Sequence, residues 1–527
     1  MTKRTSVIVR GMAAVVALAA GSASAQTTPL YAGGSTLVEK AYRDLFNSYG
    51  NTSAGDLCAG RSTCPTTHYR SNVELLYVGV GSGNGLKALD NHDASLYVSG
   101  SKKPDAVPTP SGADFGTFYG TGTGTGWTPG TGVGPNYPKV SFSGSDNTLG
   151  SADVATTKTV LGNNPLIQLP GLVAAIAVPF HPTAGWNPKG IQPVGGSSKV
   201  QLSLNTLCGI YNGDIKTWND PAITKDNKGV KLGTGTITVA YRNDSSGTTF
   251  IFTNALLNQC GVTAFTGTNG TVTASTTKST HPIPGQWVYD NSNFTFNASA
   301  PHYKSGTSFF INAFNAGHLP ANFLNDTAVT GVTGGANGSG GMRTAINTIV
   351  GSIGYVSPDF VLPVDKTGPA TANLQTYATF AAGTTPVYRA PTAANAIFTM
   401  SSTKPPAFPT AAANPLNWGA VNPLPAVNTA YPISGFSFID LYRCYKSAVD
   451  VDALAGTTAG KVGYLTWYYG AKAVNGGTPA AVLAADGFAP VPTVWATAIN
   501  KLLSSSSLGL STPLNGSCKF VAVKNGA

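Results

Sequence analysis

The sequence predicts an α/β fold, and three observations carry that prediction. Short apolar or β-branched runs alternate with runs whose apolar residues recur at helical spacing. Glycine- and hydroxyl-rich turns stand at several strand-to-helix junctions. Apolar residues make up 42% of the 527, enough for a large core. Strands alternating with helices in this way argue for an α/β architecture.

Taken in order, the first element is a processing segment. Lys3, Arg4 and Arg10 give a basic start, Gly11 to Ala20 an apolar stretch, and Ala23-Ser24-Ala25 a small-residue cleavage site before Gln26. The apolar stretch is too short for a stable anchor, so residues 1–25 read as a cleaved signal peptide. Its removal takes away three positive charges, from +10 to +7. The mature chain is expected to be exported, periplasmic or extracellular, without a direct membrane anchor.

Leu37, Ala41 and Leu45, with Val38, Tyr42 and Phe46, then mark a helix at four-residue spacing. Val73 to Val80 and Thr236 to Tyr241 are bounded by turn residues and read as strands. Leu166 to Phe180, interrupted by Pro170 and Pro179, reads as buried strands crossing a core. Residues 109–137, 263–305, 325–341 and 366–428 lack periodicity and are rich in small polar residues, Gly and Pro. They are expected to be surface loops or added β-structure.

Composition narrows the class. Charged residues reach only 10% against roughly 25% in an average soluble protein, yet the apolar content excludes a solvated disordered chain. There are 63 Gly and 35 Pro without a three-residue period, so the chain is not collagenous. A modest positive charge without basic runs gives no case for nucleic acid. The six cysteines, Cys58, Cys64, Cys208, Cys260, Cys444 and Cys518, suit disulfides in an exported chain. Neighbour pairing is expected: 58 with 64, 208 with 260, 444 with 518. No C-x-x-C pair supports a structural zinc, and neither a metal nor a cofactor is expected.

Three turns share one layout. Gly33-Gly34-Ser35-Thr36 precedes the helical run at Leu37, with Thr36 and Glu39 at capping-box spacing. Gly81 to Gly85 follows the strand at 73–80, and Ser245-Ser246-Gly247-Thr248 follows the strand at 236–241. Free N–H groups and the positive end of a helix dipole make such turns suited to anions. Arg242, two residues before Asp244, can be held by it and still offer donors to an oxyanion.

These residues carry a resemblance. The chain resembles the periplasmic phosphate-binding protein of bacterial phosphate import systems and the related secreted DING-type and alkaline-phosphatase-like proteins. The matching stretches are Ala32–Leu37, Gly79–Lys87, Phe142–Leu149, Ile210–Ile223, Arg242–Thr253, Ile353–Val356 and Tyr431–Ser434, in family order. The RxDxSGT run from Arg242 is the strongest signal. The resemblance implies a two-lobed periplasmic-binding-protein-like fold (type II) with long loop insertions. Residues 26–172 and 430–527 would form one lobe and 173–429 the other, with two crossings as a hinge.

The resemblance also implies a ligand set for inorganic phosphate: Thr36, the backbone of Leu37, Ser82, Asp146, Arg242, Ser246, Gly247 and Thr248, with Asp244 holding Arg242. Asp146 is the telling member. A carboxylate repels an anion unless it accepts a hydrogen bond from a proton that the anion carries; phosphate near neutral pH has one and sulfate does not. The chain departs from the pattern at Leu37, where an aromatic is usual, and in the separation of 64 positions from Ser82 to Asp146. Further insertions follow Cys260 and lie between Val361 and Tyr431. An ABC transporter membrane complex is the partner that the family implies.

Two alternatives are a secreted phosphatase and a surface or appendage-forming protein. No G-x-S-x-G elbow or H-E-x-x-H motif is present, Glu occurs only at 39 and 74, and the six histidines (68, 92, 181, 281, 302 and 318) show no ligand spacing. No catalytic residue is therefore assigned. Phosphate binding is the leading expectation.

Overall fold

The structure, a computed structural model, describes residues 28–50, 69–98, 139–162, 165–187, 200–211, 213, 215–260, 310, 322–324, 335–419, 424–456, 461–470, 478–511 and 518. The predicted signal peptide 1–25, Cys58, Cys64 and the segments 109–137 and 263–305 lie outside them.

The chain opens with two strand–turn–helix units. Strand β1 (Thr28–Gly34) leads to helix α1 (Glu39–Tyr49), and β2 (Val73–Gly79) to α2 (Ser82–Asn91). Strand β3 (Phe142–Ser145) precedes α3 (Ser151–Leu161). Both β2 and β3 pair in parallel with β1, so the loops after all three leave the same edge of the sheet. The predicted apolar run of α1 is buried from Leu37 through Phe46, with Tyr42 against Tyr77 and Phe46 against Tyr464. Glu39, Arg43 and Asp44 are buried on the same helix, so α1 has no fully solvated face. Arg43 donates to the carbonyl of Tyr77 and lies 3.4 Å from Glu39.

The run from Leu166 to Phe180 forms β4 (Leu166–Ala175) and β5 (Pro179–Phe180), buried throughout. Pro170 does not end β4. The register against the last long strand shifts beside it, placing Gly171 in a bulge where the missing proline donor is tolerated. Then follow β6 (Gln201–Leu202), β7 (Thr238–Val239), α4 (Gly247–Cys260), α5 (Gly338–Thr348), β8 (Ser352–Ile353), β9 (Ala370–Thr371), β10 (Asn373–Gln375), β11 (Tyr388–Arg389), β12 (Ser434–Tyr442) and β13 (Ala489–Pro490).

Among the described residues there are three sheets. The largest has the order β13-β4-β12-β3-β1-β2, in which β12 lies antiparallel between β3 and β4. The others run β7-β8-β5-β9 and β11-β10-β6. Late chain thus completes a sheet begun at the N-terminus, while the intervening chain builds the smaller sheets.

Two of the stretches expected to be surface loops or added β-structure are described in part, and they carry helices as well as added strands. The stretch 366–428 carries β9 to β11 and the helices Tyr377–Ala381, Ala393–Met400 and Leu416–Gly419, with Thr376 and Thr392 as N-caps. It buries Met400 and Trp418. The end of 325–341 becomes the first turn of α5, in the cleft described below. Small polar residues there serve as caps and close-approach positions, which composition reads as loop.

Cys444 and Cys518 form a disulfide, as neighbour pairing anticipates. Cys208 is also disulfide-bonded, and none of the described cysteines is free. No helix of the described residues is long and apolar enough to cross a membrane.

Candidate functional site

Five short segments converge between the large sheet and the β7-β8-β5-β9 sheet. Three come from the edge shared by β1, β2 and β3: Gly33 to Leu37, Gly81 to Ser82, and Ser145 to Asn147. Gly34 sits at φ 140°, and a Cβ there would lie 2.0 Å from the carbonyl oxygen of Gly144. Only glycine lets the two loops approach so closely. The opposite wall is Arg242 to Thr249, running into α4, and Asn337 to Ser339, opening α5.

The sequence-predicted residues meet here, nearly all of them removed from solvent. Ser82 is 0% exposed, and Asp146, Arg242, Ser246 and Thr248 are each 1% exposed. Arg242 grips Asp244 through two donors, Nε to Oδ1 at 2.6 Å and an Nη to Oδ2 at 2.5 Å. Its backbone N–H donates to the Tyr355 hydroxyl at 3.1 Å, and that ring stacks on Phe252 at 4.4 Å. The guanidinium therefore has a rigid seat. Asp244 additionally accepts from the Gly338 N–H at 3.2 Å, which ties α5 to the pair.

Across the cleft, Ser35 donates to Asp146 Oδ2 at 2.6 Å, and the Asp146 N–H donates to Ser82 Oγ at 3.1 Å. With its oxygen accepting that bond, the Ser82 hydroxyl keeps its proton for another acceptor. Asp146 Oδ1 is buried with no hydrogen-bond partner among the described residues. Burial pushes the Asp146 carboxyl up to about 6, against the pull of the Ser35 and Ser437 hydroxyls, the Arg242 charge and Ser82. It is ionised above that pH.

The walls touch. Gly83 N–H donates to the Ser245 carbonyl at 3.3 Å, and Arg242 donates to Thr36 Oγ1 at 3.3 Å. A Cβ on Gly247 would stand 2.4 Å from Asp146 Cβ and 2.5 Å from Ser82 Oγ, so the N-terminus of the 14-residue α4 abuts the opposite wall. Ser246 Oγ accepts from the Thr249 N–H at 3.1 Å and caps the helix. The Leu37 N–H donates to Ser35 Oγ at 3.1 Å.

The capping box expected of Thr36 and Glu39 is not formed. Helix α1 begins at Glu39 with Val38 at its N-cap and no side-chain cap bond. The Thr36 hydroxyl instead faces across the cleft, towards Arg242 and Ser339. Ser339, 0% exposed and 3.3 Å from Thr36 Oγ1, is a cleft residue that the motifs did not reveal. The available signal was Asn337-Gly338-Ser339 just ahead of the helical run, a possible helix opening hidden in a glycine-rich stretch. No group of three or more potential metal ligands gathers among the described residues.

Comparison with known proteins supports this frame. The chain is 26% identical over 492 residues to alkaline phosphatase L of Pseudomonas aeruginosa (strain UCBPP-PA14), covering 88% of this chain and 93% of that one. It is 27% identical over 397 residues to a phosphate-binding protein of an unknown prokaryotic organism, covering 71% and 82%. Among solved structures, it resembles a phosphate-binding protein from Stenotrophomonas maltophilia with a TM-score of 0.58 at 22% identity, covering 94% of this chain and 100% of that one. It also resembles a high-affinity periplasmic phosphate-binding protein (PfluDING) bound with phosphate, with a TM-score of 0.55 at 24% identity, covering 92% and 97%. These structural neighbours share its two-lobed α/β fold. The family model described as the PBP superfamily domain matches residues 21–448, and the chain belongs to that superfamily.

Proposed function

We propose that the protein binds inorganic phosphate between its two walls, without chemistry, for uptake or extracellular capture. One observation carries this reading: a buried guanidinium, several hydroxyl and N–H donors, and one carboxylate besides the Asp244 that grips Arg242 converge in one cleft. The donors suit oxyanion oxygens. Asp146 suits the one oxygen that bears a proton. Thr36, Leu37, Ser82, Arg242, Ser246, Gly247 and Thr248 supply the remaining contacts, and Asp244 holds Arg242. Relatives named as phosphate-binding proteins support the ligand.

The lobes are taken as 26–172 with 430–527, and 173–429. The insertion of β12 between β3 and β4 supports this division. Export through a signal peptide at 1–25 fits the periplasmic setting of a structural neighbour, PfluDING. Delivery to an ABC transporter rests on family resemblance. The relatives named alkaline phosphatase L make turnover worth measuring, although no activated nucleophile stands in the described cleft.

Equilibrium dialysis of the mature protein with labelled phosphate and sulfate tests the reading. Phosphate should be retained and sulfate pass. Equal retention removes the role of Asp146, and failure to retain phosphate overturns the function. Turnover of a chromogenic phosphomonoester by the pure protein would move the reading to an enzyme.

A further inference from the structure

Thr36 is in an unusual position for a hydroxyl that must donate. A threonine oxygen has one proton and two lone pairs. The Arg242 guanidinium, which can only donate, is 3.3 Å from Thr36 Oγ1 and fills one lone pair. The Ser339 hydroxyl is also 3.3 Å from that oxygen, and either partner can be the donor. The direction of this second bond decides where the proton of Thr36 points.

We propose that Ser339 is a positioning residue that donates to Thr36, fills its second lone pair and so turns the Thr36 proton towards the bound oxyanion. The inference rests on the phosphate-binding reading. In the reverse direction, Thr36 would spend its proton on Ser339 and leave a lone pair facing an anion. A negatively charged ligand selects against that arrangement. Ser339 is 0% and Thr36 3% exposed, so water does not readily replace the missing donor.

The fold fixes Ser339 in this role. Gly338 opens the 11-residue α5, and its N–H donates to Asp244 Oδ1 at 3.2 Å. Asp244 is also the carboxylate that grips Arg242. One carboxylate thus sets both groups that donate to Thr36, on one wall of the cleft.

The test is a double-mutant cycle on phosphate affinity with Ser339→Ala and Thr36→Val in the mature protein. Ser339→Ala should weaken binding about 5- to 10-fold, in the range of one hydrogen bond. In the Thr36→Val background the same change should have almost no effect, because no proton remains to be aimed. If Ser339→Ala does not fold, the near-isosteric Ser339→Cys carries the same cycle with a weaker donor. Unchanged affinity for Ser339→Ala, or equal losses in both backgrounds, overturns the proposal while leaving phosphate binding intact. Wild-type protein that binds no phosphate removes the function reading itself, and this inference with it.

Discussion

Asp244 and Asp146 stand on opposite walls of one cleft, both buried, and the structure treats them differently. Asp244 receives two guanidinium donors at 2.6 and 2.5 Å and a backbone N–H at 3.2 Å. Among the described residues, Asp146 has no cationic partner of this kind: its closest donor is the Ser35 hydroxyl at 2.6 Å, with the Ser437 and Ser82 hydroxyls nearby. Burial raises its carboxyl to about 6, against the pull of nearby hydroxyls and the Arg242 charge. A compensated carboxylate is part of the scaffold: it holds Arg242 and the start of α5. An under-compensated one costs stability, and its place in the cleft is what the proposed ligand role of Asp146 would explain. On the proposed phosphate-binding reading, the wall with Arg242 would supply attraction and the wall with Asp146 discrimination.

The sharpest way to break this comparison is Arg242→Ala. It removes the attracting charge and strands Asp244, so phosphate affinity should fall at least about 100-fold and Tm should drop as well. Unchanged affinity in dialysis would take Arg242 out of the site.

Gly247→Ala acts on the contact between the walls. Its added carbon meets Asp146 and Ser82 at 2.4 and 2.5 Å, distances that require the walls to part. Phosphate binding should weaken about 10- to 100-fold. The Tm of the unliganded protein should fall as well, because parting the walls breaks the Gly83–Ser245 and Arg242–Thr36 bonds. An unaltered dissociation constant would mean that the walls need not approach this closely.

Asp146→Asn has the smallest effect on phosphate affinity and the clearest effect on selectivity. Sulfate should become a competitor, measured by displacement of labelled phosphate. In the wild-type protein the same loss should appear as pH falls through about 6, because the carboxyl protonates there. Stability runs in the matching direction. A carboxyl raised from 3.8 to about 6 on folding costs about 3 kcal/mol once pH exceeds the upper value, and costs nothing below the lower one. Asp146→Asn should therefore raise Tm at pH 8 and leave it nearly unchanged at pH 4. A Tm gain that is equal at both values would mean that burial does not perturb this group.

Much of the fold and the cleft was readable because turn chemistry is local. Gly33 to Thr36, Gly81 to Ser82 and Arg242 to Thr248 announce close approach, helix starts and a paired guanidinium within a few residues each. Ser339 was not readable, since its meaning depends on Thr36, 303 positions away. Thr36 itself was misread locally: three residues before Glu39 it spells a capping box, yet its hydroxyl faces Arg242 and Ser339. The segment 366–428 looked like loop because alanine, threonine and proline give a weak periodic signal, although tertiary packing buries Met400 and Trp418 within it.

The sequence by itself determined the α/β alternation, the anion-suited turns and the pair of Arg242 with Asp244, because each depends on neighbours within one turn or one strand. Only the tertiary structure decided that β12 enters the sheet between β3 and β4, that α5 brings Ser339 to Thr36, and that Asp146 is raised to about 6. Those outcomes depend on burial and on contacts between distant segments, and neither quantity is written in any local window of the chain.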